Sequence, residues 1–244
     1  MNTRIKLAAD AKFLVSAVLK YVEWDYTRYP HMLLFGSTGS GKTYLLKMIL
    51  GRIGKYIPDA KLIICDYKAD TDFSFLNGST NFYRFTDCIN GLESALHLLE
   101  ERQHGNPDRH FVCLVFDEWA SMLNSLDKKS ADHAKQMLSV LLMLGRSFNI
   151  HVIISQQRPD ANYFNNARDN FSVICAMGYL SKESIQMMFH DFKEQIKPDK
   201  PRGQGSIVIG EHFFDMVVPK VYDTSLMHKY IRKACDSSSS SNSR

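Results

Sequence analysis

The chain of 244 residues is 45% apolar, 23% charged and 11% aromatic, which excludes a disordered, collagen-like or disulfide-scaffold chain and makes one domain the default. Its 30 Lys and Arg against 26 Asp and Glu leave a formal charge of +4, which permits a polyanionic partner without demanding one. No apolar stretch reaches the roughly 18–20 residues of a membrane span, the start lacks the regions of a signal peptide, and the five cysteines show no metal-ligand or redox spacing, so a cytoplasmic protein with reduced thiols and no membrane span of its own is expected.

In chain order, residues from about Leu7 to Val22 read as an amphipathic helix within an N-terminal helical extension over 1–29. Short apolar runs of β type then alternate with segments of helical period. The runs are His31 to Phe35, Lys61 to Cys65, Asn81 to Phe85, Phe111 to Phe116, His151 to Ile154, Phe171 to Ala176 and Ser206 to Ile209. Between them Ile89, Leu92, Leu96 and Leu99 share one helical face, as do Ala131, Ala134, Leu138, Leu141, Leu142 and Phe148. Alternation of this kind implies an α/β fold with a mostly parallel central sheet flanked by helices over 30–235, and GSIVIG followed by HFFDMVV adds a C-terminal hairpin through Gly210 and Glu211. The tail 236–244, DSSSSSNSR, is polar, of low complexity and expected to be disordered.

Chemistry in such a sheet belongs on the loops that follow strands. Directly after the run HMLLF come Gly36, Ser37, Thr38, Gly39, Ser40, Gly41, Lys42 and Thr43, then Tyr44 and a helix former. This is GxxxxGK[ST] in its strand-loop-helix setting, where glycines let successive N–H groups turn toward phosphate oxygens, Lys42 reaches the β and γ phosphates and the Thr43 hydroxyl ligates Mg²⁺. The expected cofactors are therefore ATP and Mg²⁺. A second strand ends in Asp117 and Glu118, a pair suited to holding the metal and to polarising the water that attacks the γ phosphate. A third ends in Gln156 and Gln157, where an amide can touch the γ phosphate or the attacking water.

These segments resemble the FtsK/SpoIIIE family of DNA translocases within the HerA-FtsK class. PHMLLFGSTGSGKT, ICDYK, LVFDEWASML and GRSFNIHVIISQQRPD are similar to that family's P-loop, Asp-Pro-Lys strand, Asp-Glu strand and Gln-Arg-Pro element, over roughly Pro30 to Val218. The resemblance implies a RecA-like ATPase of ASCE type that assembles as a homo-oligomeric ring, usually a hexamer, and moves double-stranded DNA through its centre. It assigns the sensor role to Gln157 rather than Gln156 and that of an arginine finger, reaching the neighbouring subunit's ATP, to Arg146, which also lies where a cation would cap a helix end. Lys68 matches the family Lys of Asp-Pro-Lys, with no role arguable from chemistry. Two positions depart from the pattern: Gln156 stands for the family's Thr and Asn149 for its Gly.

A pore would grip DNA phosphates through basic loops. The candidates are Lys128 and Lys129 in one loop, and Arg158, Asn162, Tyr163 and Arg168 in the other. The expected product is a minimal translocase or pump that serves DNA transfer, segregation or genome packaging and takes its targeting from relaxase, replication or capsid proteins. The alternative is an ATP-gated recruitment module without processive movement.

Overall fold

The computed structural model describes residues 3–237. From the start of the chain come β1 (Arg4–Asp10), α1 (Ala11–Leu14), β2 (Tyr21–Asp25), β3 (His31–Gly36), α2 (Lys42–Tyr56) and β4 (Lys61–Asp66). The middle holds β5 (Phe82–Arg84), α3 (Cys88–Gln103), β6 (Val112–Asp117), α4 (Trp119–Ser125), α5 (Lys128–Leu144) and β7 (Ile150–Gln156). The last part is β8 (Val173–Met177), α6 (Lys182–Met188), β9 (Gln204–Ile209), β10 (His212–Val217) and α7 (Thr224–Cys235). Of the Ser-rich tail, the residues past Ser237 lie outside those described.

All strands join one 10-stranded sheet in the order β2-β1-β10-β9-β8-β3-β7-β6-β4-β5. From β8 to β5 every pairing is parallel, and from β8 back to β2 every pairing is antiparallel. The central parallel strands β3, β6 and β7 are buried on both faces, which is why they read as unbroken apolar runs. Met32 and Leu34 point into a core shared with α2 and α7, while Leu33 and Phe35 point into one shared with α3 and α5. The hairpin of β9 and β10 forms as expected, turning at Gly210 and Glu211.

The N-terminal extension is not helical. Residues 4–10 and 21–25 are antiparallel strands that widen the sheet through β10, and only Ala11–Leu14 is a helix. The period-2 pattern is present in the burial of Ile5, Leu7, Val22 and Trp24 between exposed Arg4, Lys6 and Glu23. It is obscured because the connection between the strands is itself apolar yet exposed, at Leu14, Val15, Val18 and Leu19. The second helical segment also ends early: α5 stops at Leu144, and residues 145–148 form a separate 3₁₀ turn.

All five cysteines are buried and unpaired with one another. No helix among the described residues is long and apolar enough to cross a membrane.

At the amino ends of β3 and β7, His31 and His151 are buried, His31 Nδ1 accepting from the Val152 amide at 3.1 Å. Burial pushes their pKa values down from 6.5 to about 3 and about 4. The unfolded chain takes up these two protons below about pH 6.5 and the folded protein does not, so their contribution to stability is lost as pH falls from there toward about 4 and then 3. Asp66, raised to about 6 chiefly by burial, works in the opposite direction, because the folded state takes its proton first. The group-specific readout is therefore NMR: both imidazoles are expected to stay neutral down to about pH 5, and a titration step near 6.5 for either would contradict this packing.

Candidate nucleotide site

Five parallel strands, β4, β6, β7, β3 and β8, end level with one another. The register pairs Asp66 with Asp117, Asp117 with Ser155, Phe35 with Gln156 and Gly36 with Met177. β7 thus lies between the strand that feeds the P-loop and the strand that ends in Asp117, and the carboxyl edge collects the P-loop, Lys68, Asp117, Glu118 and Gln157.

The loop between β3 and α2 is shaped by two glycines in particular. A Cβ on Gly36 would stand 2.4 Å from the Met177 carbonyl oxygen, so only glycine lets β3 pass β8 at this point. Gly41 has φ 99 and caps α2, a conformation that other residues adopt only with strain. The first amides of α2 then face outward with no intrahelical acceptor, and the helix dipole adds positive potential there.

A cavity of about 380 Å³ opens in front of that helix, lined by Ser37, Thr38, Gly39, Gly41, Lys42, Thr43, Tyr44, Lys47, Lys68, Asp70, Asp72, Asp117, Glu118, Gln157 and Arg202. Gly36 and Ser40 support it from behind. Ser40 is buried, and its hydroxyl has no hydrogen-bond partner.

Glu118 sits immediately after β6 at φ 61 and ψ 44, a left-handed conformation that costs a non-glycine residue on the order of 1–3 kcal/mol. Its amide donates to the Ser155 carbonyl at 2.8 Å, and the turn swings its carboxylate toward the P-loop. Lys42 Nζ lies 3.4 Å from Glu118 Oε1, with both side chains about nine-tenths buried, and the Ser121 hydroxyl donates to Glu118 Oε2 at 3.3 Å. Asp117 is buried, one carboxylate oxygen has no partner, and burial raises its pKa, an effect that Lys42 opposes.

Gln157 lines the cavity, whereas Gln156 is fully buried in β7 and donates its amide to the Arg158 carbonyl at 2.6 Å. Lys68 pairs with Asp70 at 2.6 Å at the rim, which raises the lysine's pKa and lowers the carboxylate's.

Arg146 is not in this cavity. It lies beyond α5 at the amino edge, exposed, with Nε donating to the Thr27 carbonyl at 3.2 Å rather than to the end of its helix. Its turn is held from beneath by the buried Arg102, which donates to the Phe148 carbonyl at 2.5 Å and the His110 carbonyl at 3.0 Å. Asn149, standing for the family's Gly, adopts φ 54 there, which Asn tolerates better than most residues.

The DNA-contact candidates are divided. Lys128 and Lys129 are exposed in the first turn of α5, behind an Asp127 cap, and their helix start follows α4 at the carboxyl edge. Arg158 and Asn162 are exposed on the loop after β7 at the same edge. Tyr163 fastens the loop after β7 to α4: its carbonyl accepts from Trp119 Nε1 at 2.9 Å and its hydroxyl from Asn124 at 3.2 Å. Arg168 stands apart, packed toward the start of β8 and 3.7 Å from Asp169.

Sequence reasoning missed Lys47, Asp70, Asp72 and Arg202. Lys47 lies one helical turn past Thr43, so helical periodicity could have found it. The two aspartates follow β4 at the same edge, but Arg202 precedes a strand and carries no local signal.

The profile of the FtsK/SpoIIIE family matches residues 13–161. The chain belongs to the FtsK/SpoIIIE family. It is 28% identical over 232 residues to the FtsK domain-containing protein YdcQ of Bacillus subtilis (strain 168), covering 86% of this chain and 48% of that relative. The chain thus spans about half the length of YdcQ. Among solved structures it shares the fold of the pCW3 conjugation coupling protein TcpA, solved as a monomer with ATPγS (TM-score 0.70, 17% identity, 95% of this chain and 70% of that one). It also shares the fold of the cytoplasmic domain of the Type VII secretion ATPase EccC of Thermomonospora curvata (TM-score 0.69, 17% identity, 95% and 31%). The family and the fold make this a RecA-like P-loop ATPase domain.

Proposed function

We propose that the chain hydrolyses ATP to move double-stranded DNA, as one subunit of a homo-oligomeric ring. The observation that carries the hydrolytic half is Glu118, held in a left-handed turn with its carboxylate against the P-loop lysine. The incoming phosphates compete for Lys42, and its departure frees Glu118 to accept a proton from the attacking water. Gln157, at the end of the strand between them, orients that water or the terminal phosphate.

The residues fit a magnesium ion brought in with the nucleotide. The Asp117 oxygen is buried without a partner and the Thr43 hydroxyl opens on the same cavity, giving the hard oxygen donors that Mg²⁺ prefers. Among the described residues no cluster of His, Cys, Asp or Glu would hold a metal without the nucleotide. When bound, the ion offsets charge on the phosphates.

The ring is supported by the place of Arg146, exposed at the opposite end of the sheet from its own cavity and so available to a neighbour's. Fold alone does not choose the cargo, since a conjugation protein and a secretion ATPase share it about equally. DNA is favoured by the motif resemblance and by the exposed basic residues Lys128 and Lys129 at the start of α5 and Arg158 after β7.

Steady-state ATP hydrolysis with and without duplex DNA tests this reading. The expected result is stimulation that falls as salt rises and is weakened in Lys128→Glu/Lys129→Glu. Absence of stimulation at every salt concentration, low ones included, would overturn it.

A further inference from the structure

The cavity holds four cations, and three are already neutralised. Lys42 faces Glu118 at 3.4 Å, Lys47 faces Asp72 at 2.9 Å and Lys68 faces Asp70 at 2.6 Å. Arg202 lines the same cavity and, among the described residues, has no ion pair or side-chain hydrogen bond. It is the cation that can meet a phosphate without first leaving a carboxylate.

Its position is built. Arg202 lies in the short turn Pro201-Arg202-Gly203 that leads into β9, and the Gly203 amide donates to the P-loop Ser40 carbonyl at 2.9 Å while the Gly203 carbonyl accepts from Val218 at 2.8 Å. Two residues earlier, Lys200 turns inward, with 7% of its side chain exposed. It donates to the Gly205 carbonyl at 2.9 Å and the Ser206 hydroxyl at 2.8 Å, and pairs with Asp215 of β10. A buried cation with this many acceptors is an anchor, because breaking the set would leave charges uncompensated in the interior. The strap is thus pinned to the hairpin on one side and to the P-loop on the other, with Arg202 directed at the space between.

We propose that Arg202 binds the nucleotide's phosphate chain from within the same subunit, and that Lys200 with Asp215 positions it. A guanidinium can engage two phosphate oxygens at once, which suits it to this task better than a lysine. The inference rests on reading the cavity as the ATP site, so the test carries a control for that reading.

Calorimetric titration with ATPγS and with ADP, in the presence of Mg²⁺, is made on the wild type, Arg202→Ala, Arg202→Lys, Lys200→Met and Lys42→Ala. Arg202→Ala is expected to weaken ATPγS by about tenfold or more, the worth of one charge-assisted hydrogen bond, with Arg202→Lys recovering much of the loss and the melting temperature unchanged. Lys200→Met is expected to reproduce the loss of affinity; if it fails to fold, the two Arg202 variants decide alone. Arg202→Ala within about twofold of wild type, while Lys42→Ala loses binding, would overturn this assignment and leave the phosphate site standing. Retention of affinity by Lys42→Ala would overturn the phosphate site and this assignment with it.

Discussion

Glu118→Gln is expected to lower kcat for ATP hydrolysis by about 10²–10⁴-fold while leaving ATP affinity unchanged or tighter. The carboxylate is the group placed to take a proton from water, and Gln keeps its shape and its bond from Ser121 but cannot accept that proton. Affinity is preserved because the P-loop amides, Lys42 and Thr43 are untouched. It is tightened where the Lys42–Glu118 pair, 3.4 Å apart and mostly buried, competes with the phosphates, since Gln releases the lysine from that competition. Single-turnover hydrolysis alongside equilibrium ATP binding reads both parameters. An equal loss of binding and turnover would instead make Glu118 a structural partner of Lys42.

Arg146→Ala is expected to lower ATPase activity by about 10³-fold or more if it acts on a neighbour's site, the lower end of what a finger supplied in this way contributes. β7 separates Arg146 from the cavity of its own chain, and a strand of seven residues spans roughly 20 Å, beyond the reach of one side chain. Inactive Arg146→Ala mixed with inactive Lys42→Ala should therefore recover activity, because a mixed interface pairs an intact P-loop with an intact finger. No recovery at any mixing ratio would return Arg146 to a structural role at the Thr27 carbonyl.

The parallel half of the fold was readable because its strands are buried on both faces, and burial on both faces leaves a simple record: FVCLVF and HVII contain no solvent-facing position to interrupt them. The P-loop and the Asp117–Glu118 step were readable for a different reason, since each is a local run whose chemistry depends on spacing along the chain. The antiparallel half was less so. At the N-terminus, Ile5 and Leu7 alternate correctly, but the exposed apolar residues Val15, Val18 and Leu19 extend the run and imitate a helical face. Arg202 was invisible because its role depends on where the Lys200 anchor sets the strap, a contact with β10 that no spacing rule encodes. Asn149 looked like a departure from the family pattern, and the backbone there is left-handed, a conformation open to Asn as well as to Gly.

We propose that hydrolysis at this site drives movement along duplex DNA, not assembly alone. Displacement of a triplex-forming oligonucleotide from linear duplex DNA measures that directly. Wild type with Mg²⁺ and ATP should strip the third strand, while wild type with ATPγS, and Glu118→Gln with ATP, should bind the duplex and leave the triplex in place. An intact triplex under wild type that is hydrolysing ATP on the same DNA would contradict translocation and leave an ATP-gated module.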